Sequence, residues 1–243
     1  MCALPAAARS ARERLAFALD VSDWTEAEKL ATELSGTVGV FKVGLELFCA
    51  TGPQAVTSLR ARGASVFLDL KLHDIPATMT RAVEVALRHG ASFLTLHASA
   101  GSEALRAAVE LTRGSTLSLL AVSVLTSADD AMLEEIGVRG PARDAVLRLA
   151  RLALDCGVRG LVCSPNECEL LRAEFGQDVF LVTPGIRPSG SAQGDQKRVA
   201  TPARAIAAGA DLLVVGRPIR DAQHPRAAAE SVVRDIEQAL AVS

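Results

Sequence analysis

Ser65-Val66-Phe67-Leu68-Asp69-Leu70-Lys71-Leu72-His73-Asp74-Ile75-Pro76 starts as an apolar, strand-like run and then sets four ionisable residues among leucines. Asp69, Lys71 and His73 alternate with Leu70 and Leu72, so an extended backbone would point all three to one side. Buried strands do not ordinarily carry such groups, because an unpaired buried charge costs several kcal/mol or more. Pro76 cannot donate a ladder hydrogen bond and suits the first turn of a helix, so the strand should stop there. The cluster is therefore expected at the C-terminal end of a strand, just before a helix. A single Asp–Lys pair there would read as a surface ion pair. An Asp-x-Lys-x-x-Asp run entering Ile75-Pro76 asks for more.

The same rhythm extends in both directions. Leu15 to Leu19 is a short apolar run ending at Asp20, and Ser22-Asp23 precede a helical pattern from Trp24 to Leu34. Val38 to Val43 reads as a strand with Lys42 near its end, and a helix runs from Gly52-Pro53 to about Arg62. After the quoted stretch come a helix from Ala77 to His89 and a strand from Ser92 to Leu96 that ends in His97. Strands follow at Leu117–Val124, Gly160–Cys163, Val179–Val182 and Asp211–Val215, with helical segments near 102–111, 131–136, 142–155 and 167–175 and a final helix. Strands this apolar, alternating with helices, imply a parallel sheet covered on both faces. An open doubly wound sheet is one solution, but eight units in so short a chain fit a (β/α)8 TIM barrel better. No Gly-x-Gly-x-x-Gly or Walker loop follows the first strand.

Composition narrows the function classes. The chain has 243 residues and no internal linker, enough for one large domain with a full core. Residues 1–13, Ala- and Arg-rich, are expected as a flexible arm rather than a targeting peptide, with 14–243 as the single catalytic barrel domain. A net charge of −2, no tyrosine and one tryptophan argue against nucleic acid as a partner. No apolar run approaches 18 residues, so no membrane span is expected and the chain reads as cytoplasmic. The five cysteines are odd in number, lack paired metal spacing, and read as free thiols.

Catalytic groups of such barrels sit at the C-terminal ends of strands and in the following loops. The polar residues expected there are Asp20, Lys42, Asp69, Lys71, Asp74, His97, Thr126, Ser164, Arg187, Gly216 and Arg217. Singly, each has an ordinary explanation: Asp20 as a turn acid, Lys42 as a rim residue, His97 as a satisfied core histidine. Jointly they form a mouth too charged for packing alone. Gly216-Arg217-Pro218 after the last strand, with Arg187 from the preceding loop, supplies backbone N–H groups, a helix start and two guanidinium groups for a phosphate. Asp69 and Asp74 are carboxylates of the kind that bind Mg²⁺, but cationic Lys71 between them competes with a metal, so none is expected. Flanking carboxylates favour the ammonium form, which suits a proton donor and a fixed cation for carbanion charge rather than a nucleophile. Carbanion chemistry on a phosphorylated substrate without a cofactor is the expectation.

These residues resemble the orotidine 5′-phosphate decarboxylase family, in its short bacterial type. The likeness rests on Phe67 to Pro76 and on Leu19-Asp20, Phe41 to Gly44, Val124 to Ser127, Val162 to Pro165, Thr183 to Pro188, Asp195 to Arg198 and Gly216-Arg217. Ala77 and Ala100 depart from the usual residues at loop positions only. The resemblance implies decarboxylation of orotidine 5′-phosphate to UMP and CO2 in pyrimidine biosynthesis, through a C6 carbanion protonated by Lys71. It implies that Asp20 and Lys42 hold ribose hydroxyls and that Asp69 lies beside the substrate carboxylate. Thr126 would meet the pyrimidine, and Arg187, Gln196, Gly216 and Arg217 the 5′-phosphate. It also implies a homodimer in which Asp74, Ile75 and Thr78 reach the neighbouring subunit's site. A sugar-phosphate decarboxylase, epimerase or aldolase on a similar barrel and a non-catalytic nucleotide-binding barrel are the competing readings.

Overall fold

The computed structural model describes residues 10–188 and 199–242. Eight strands close into one parallel barrel in sequence order. They are β1 (Leu15–Ala18), β2 (Val40–Val43), β3 (Ser65–Leu72), β4 (Phe93–His97), β5 (Ser118–Val122), β6 (Gly160–Val162), β7 (Phe180–Thr183) and β8 (Leu212–Val215). All eight expected strands are present, each shifted at its ends by no more than two residues, and the fold is the expected (β/α)8 barrel.

Burial on both sides explains why the strands are almost wholly apolar. Alternate residues form two separate cores. Ala16, Ala18, Val40, Phe67, Leu120, Val122, Phe180, Val182, Leu212 and Val214 pack inside the barrel, with Phe93 against them. Leu15, Phe17, Phe41, Val43, Leu94, Leu96, Leu213 and Val215 pack outward beneath the helices. The period of two decides which residue reaches the mouth. Following Ala16 and Ala18 inward leads to Asp20; following Val40 leads to Lys42 and Gly44; following Leu212 and Val214 leads to Gly216. Phe67, Phe93 and Phe180 form an aromatic floor, with Phe93 stacked on Phe180 at 6.1 Å and edge-on to Phe67.

The helices obey their end signals. Asp23 caps Trp24–Glu33 by accepting from the Glu26 N–H, and Pro76 occupies the first turn of Pro76–Arg88. Two short helices, Leu45–Thr51 and Pro202–Ala207, were not expected from the sequence. At six or seven residues each, they show too few turns for a periodic pattern.

At the end of the barrel away from the strand C-termini, residues 12–14 form a 3-10 turn before β1. Residues 10–13 were expected in the flexible arm, but Ala11 is buried in the outer core. Gly39 lies against this turn so closely that a Cβ there would stand 2.6 Å from Glu13 Cα. Arg172 ties the same end together. Its guanidinium donates to the carbonyls of Gly209, Gly176 and Val179 and to Asp211 Oδ2, which also accepts from the Leu181 N–H. The described cysteines are free thiols: Cys49 is exposed and Cys156, Cys163 and Cys168 are buried.

Candidate active site

A cavity of about 370 Å³ opens at the C-terminal ends of the strands, within the size range of small-molecule sites. Phe67, Val122, Val162, Val182 and Val214 give it an apolar base, and charged groups line its walls. On one wall the charges alternate in sign. Lys42 Nζ is 2.9 Å from Asp20 Oδ1 and 3.7 Å from Asp69 Oδ2. Lys71 Nζ donates to both Asp69 oxygens, at 2.9 and 3.0 Å. Thr95 Oγ1 donates to Asp69 Oδ1 at 2.9 Å.

Asp69 is the centre of this row. Its burial, the largest single influence, works to raise its pKa, since a dry site disfavours the charged form. The charges of Lys42 and Lys71 and the hydrogen bonds from Lys71 and Thr95 outweigh that, so the carboxyl lies below its ordinary 3.8. It stays ionised and holds two ammonium groups in place. Any anion entering the cavity meets both cations, but also the Asp69 charge.

The backbone of β3 is irregular at this point. Lys71 has φ 50°, the only described non-glycine residue with a positive φ. Such a conformation costs on the order of 1–3 kcal/mol and persists only where its surroundings enforce it. The expectation of an unbroken extended run to His73 therefore fails at Lys71. Asp69 and Lys71 still meet in the cavity, but His73 does not join them. It stacks obliquely on His97, ring centroids 5.4 Å apart, and lines a separate depression with Asp74, Ile75, Pro76 and Ala100. His97 has its pKa lowered by burial first, then by the charges of His73 and Lys71, against an opposing pull from Asp69.

The part of the wall that follows β7 and β8, adjoining Asp20 on β1, is cationic. Arg187, Arg217 and Arg220 line it together with Pro184, Gly185 and Gly216. The helix after Gly216 spans only Arg217–Arg220, so its dipole is that of one turn and the guanidinium groups carry most of the positive field.

Of the residues expected from the sequence, Asp20, Lys42, Asp69, Lys71, Thr126, Arg187, Gly216 and Arg217 all line this one cavity. Asp74 and Ile75 line the other depression, Ile75 64% exposed, and Thr78 is half-buried on the helix Pro76–Arg88. Ser164 is fully buried at the end of β6, its N–H donating to Glu167 Oε2. Gln196 lies outside the described residues. Two residues were missed. Arg220 reaches the cavity from one turn past Arg217 and donates to the Asp20 carbonyl at 2.6 Å. Thr95, midway between Phe93 and His97 on β4, could have been found by the same inward alternation that singled out Lys42.

Among the described residues no group of three or more His, Cys, Asp or Glu side chains is placed to hold a metal ion. Nor is any described helix long and apolar enough to cross a membrane.

Residues 13–232 match the profile of the Orotidine 5′-phosphate decarboxylase / HUMPS family. A protein of Thermobifida fusca (strain YX) named orotidine 5′-phosphate decarboxylase is 52% identical over 225 residues, 92% of this chain and 96% of its own. One of the same name from Anaeromyxobacter sp. (strain K) is 52% identical over 220 residues, 90% and 96% of the two chains. The crystal structure of orotidine 5′-phosphate decarboxylase from Lactobacillus acidophilus superposes with a TM-score of 0.82 at 36% identity, covering 91% of this chain and 98% of that one. The likeness first read from Phe67 to Pro76 thus extends over nearly the whole sequence, and the chain belongs to the orotidine 5′-phosphate decarboxylase / HUMPS family.

Proposed function

We propose that this chain decarboxylates orotidine 5′-phosphate to UMP and CO2, a step of pyrimidine biosynthesis, without a metal or organic cofactor. The observation that carries the reading is the Lys71 ammonium, held on both oxygens of Asp69 in the same cavity as Arg187, Arg217 and Arg220. A phosphorylated nucleotide anchored on the arginines presents its base towards Lys71. The names of the half-identical relatives support this substrate over a sugar phosphate.

The C6–carboxylate bond breaks, CO2 departs, and the electron pair remains on C6. Lys71 Nζ gives that carbon a proton and is itself reprotonated from solvent. A fixed ammonium stabilises charge where it develops, and we assign it the larger share of the barrier lowering. Asp69 beside the substrate carboxylate adds ground-state stress as a smaller share. Asp20 and Lys42 hold the ribose hydroxyls and Thr126 meets the pyrimidine. Arg187, Gly216, Arg217 and Gln196 hold the phosphate. Asp74, Ile75 and Thr78 serve the site of a second copy in a homodimer, which agrees with Asp74 and Ile75 lying outside this chain's own cavity.

Mixing the protein with orotidine 5′-phosphate and following the loss of its ultraviolet absorbance tests the activity directly. Turnover should persist in EDTA. Lys71→Ala should abolish turnover while UMP still binds; turnover within about tenfold of wild type would remove Lys71 from its role.

A further inference from the structure

Between Leu68 and Leu72, β3 advances four residues while its partner β4 advances two, from Leu94 to Leu96. Asp69, Leu70 and Lys71 therefore stand opposite Thr95 alone. A bulge of this kind deprives backbone groups of their ladder partners. The Lys71 N–H finds a substitute in Thr95 Oγ1, 2.9 Å away. The same hydroxyl donates to Asp69 Oδ1, also at 2.9 Å. One proton and two lone pairs allow a hydroxyl to make both bonds at once. Thr95 is 1% exposed, so water does not compete for either.

We propose that Thr95 is a positioning residue for the reaction. By accepting from the Lys71 N–H and donating to Asp69, its hydroxyl fixes the bulge that sets the Lys71 ammonium against the Asp69 carboxylate. This rests on the reading of Asp69 and Lys71 as the groups nearest the reacting carbon. Lys71 is held in a left-handed conformation that no glycine or asparagine eases. Without the hydroxyl, its N–H has no partner in a dry place, and Asp69 loses one of the donors that keep it ionised. The backbone then relaxes towards a regular strand, and the ammonium moves with it. A displacement of about 1 Å at a reacting group can cost on the order of a hundredfold in rate.

Thr95→Val keeps the shape of the side chain and removes both bonds; Thr95→Ser keeps both bonds. In Thr95→Val, kcat should fall about 10- to 100-fold while KM for orotidine 5′-phosphate changes less than about threefold. The acid limb of its kcat/KM profile should move to higher pH, as Asp69 becomes easier to protonate. Thr95→Ser should return kcat to within about threefold of wild type. If Thr95→Val does not fold, Thr95→Ala, which removes the same hydroxyl without adding a methyl group, is measured in its place. A lowered melting temperature with unchanged kcat and an unmoved acid limb overturns the role of Thr95, provided Lys71→Ala is inactive. Wild-type turnover in Lys71→Ala overturns the reading beneath it, and the role of Thr95 with it.

Discussion

Gly44 leaves no room for a side chain beside Lys42: a Cβ on Gly44 would lie 2.9 Å from Lys42 Nζ, and 3.0 Å from the Asp20 oxygen that binds it. The backbone at Gly44, with φ −92° and ψ −177°, is one any residue can adopt. Gly44→Ala should therefore leave the fold intact and force the Lys42 ammonium away from Asp20. With these two groups on the ribose, KM should rise about tenfold, equivalent to ~1.4 kcal/mol, and kcat should change less. Steady-state kinetics alongside a thermal melt separates the two effects; an unchanged KM would remove the Lys42–Asp20 pair from substrate binding.

Asp74 and Lys71 sit three residues apart in sequence, yet only Lys71 lines the chain's own cavity. If Asp74 completes a second copy's site, Asp74→Asn and Lys71→Ala should each be inactive alone. Mixed and allowed to exchange subunits, they should recover about a quarter of wild-type activity, because half the dimers carry one intact site of two. No recovery after verified exchange would place Asp74 in its own subunit's chemistry.

Arg172 binds three carbonyls and Asp211 at the end of the barrel remote from the cavity, with 10% of its side chain exposed. Arg172→Met takes the shared donor from those carbonyls and the nearer cation from Asp211, which keeps the Leu181 N–H and Arg14 at 3.8 Å. Breaking such a pair costs about 3 kcal/mol or more. For a chain of this size that lowers the melting temperature by about 6–12 °C. Activity at 25 °C should be unchanged; a loss of kcat would mean that strain travels along β7 and β8.

His97 should make stability depend on pH. Its folded pKa lies below its ordinary 6.5 through burial, with His73 and Lys71 adding to the effect and Asp69 opposing it. A depressed pKa means that the unfolded chain binds the proton first. The contribution is thus complete above about pH 6.5 and is lost as pH falls towards the folded value. Urea unfolding at about pH 8 and about pH 5 should show a smaller loss for His97→Asn than for wild type. Equal losses would mean that other groups govern this range.

Much of this arrangement is readable in the sequence because a parallel barrel repeats one rule eight times. Ala16-Ala18-Asp20 and Val40-Lys42-Gly44 alternate without interruption, so local pattern alone delivers Asp20 and Lys42 to the mouth. On β3 the same rule delivered Asp69 and then misplaced His73. The bulge there is a property of the β3–β4 register, and no residue of β3 announces it. Lys71 is not a residue type that signals a left-handed turn. Thr95 acquires its importance only from what faces it. Arg220 depends on the length of one short helix, which neither a cap nor a periodic pattern defines. The separation of Asp74 from Lys71 came from the family resemblance and not from the alternation.

The tight filling of the barrel interior, from Ala16 and Leu212 up to the three phenylalanines, has a consequence for traffic. Among the described residues these side chains fill the barrel beneath the cavity, so traffic is directed to the mouth. In the reaction proposed above, substrate, nucleotide product and carbon dioxide would share that one threshold, and the departing molecules would have to clear it before the next could enter.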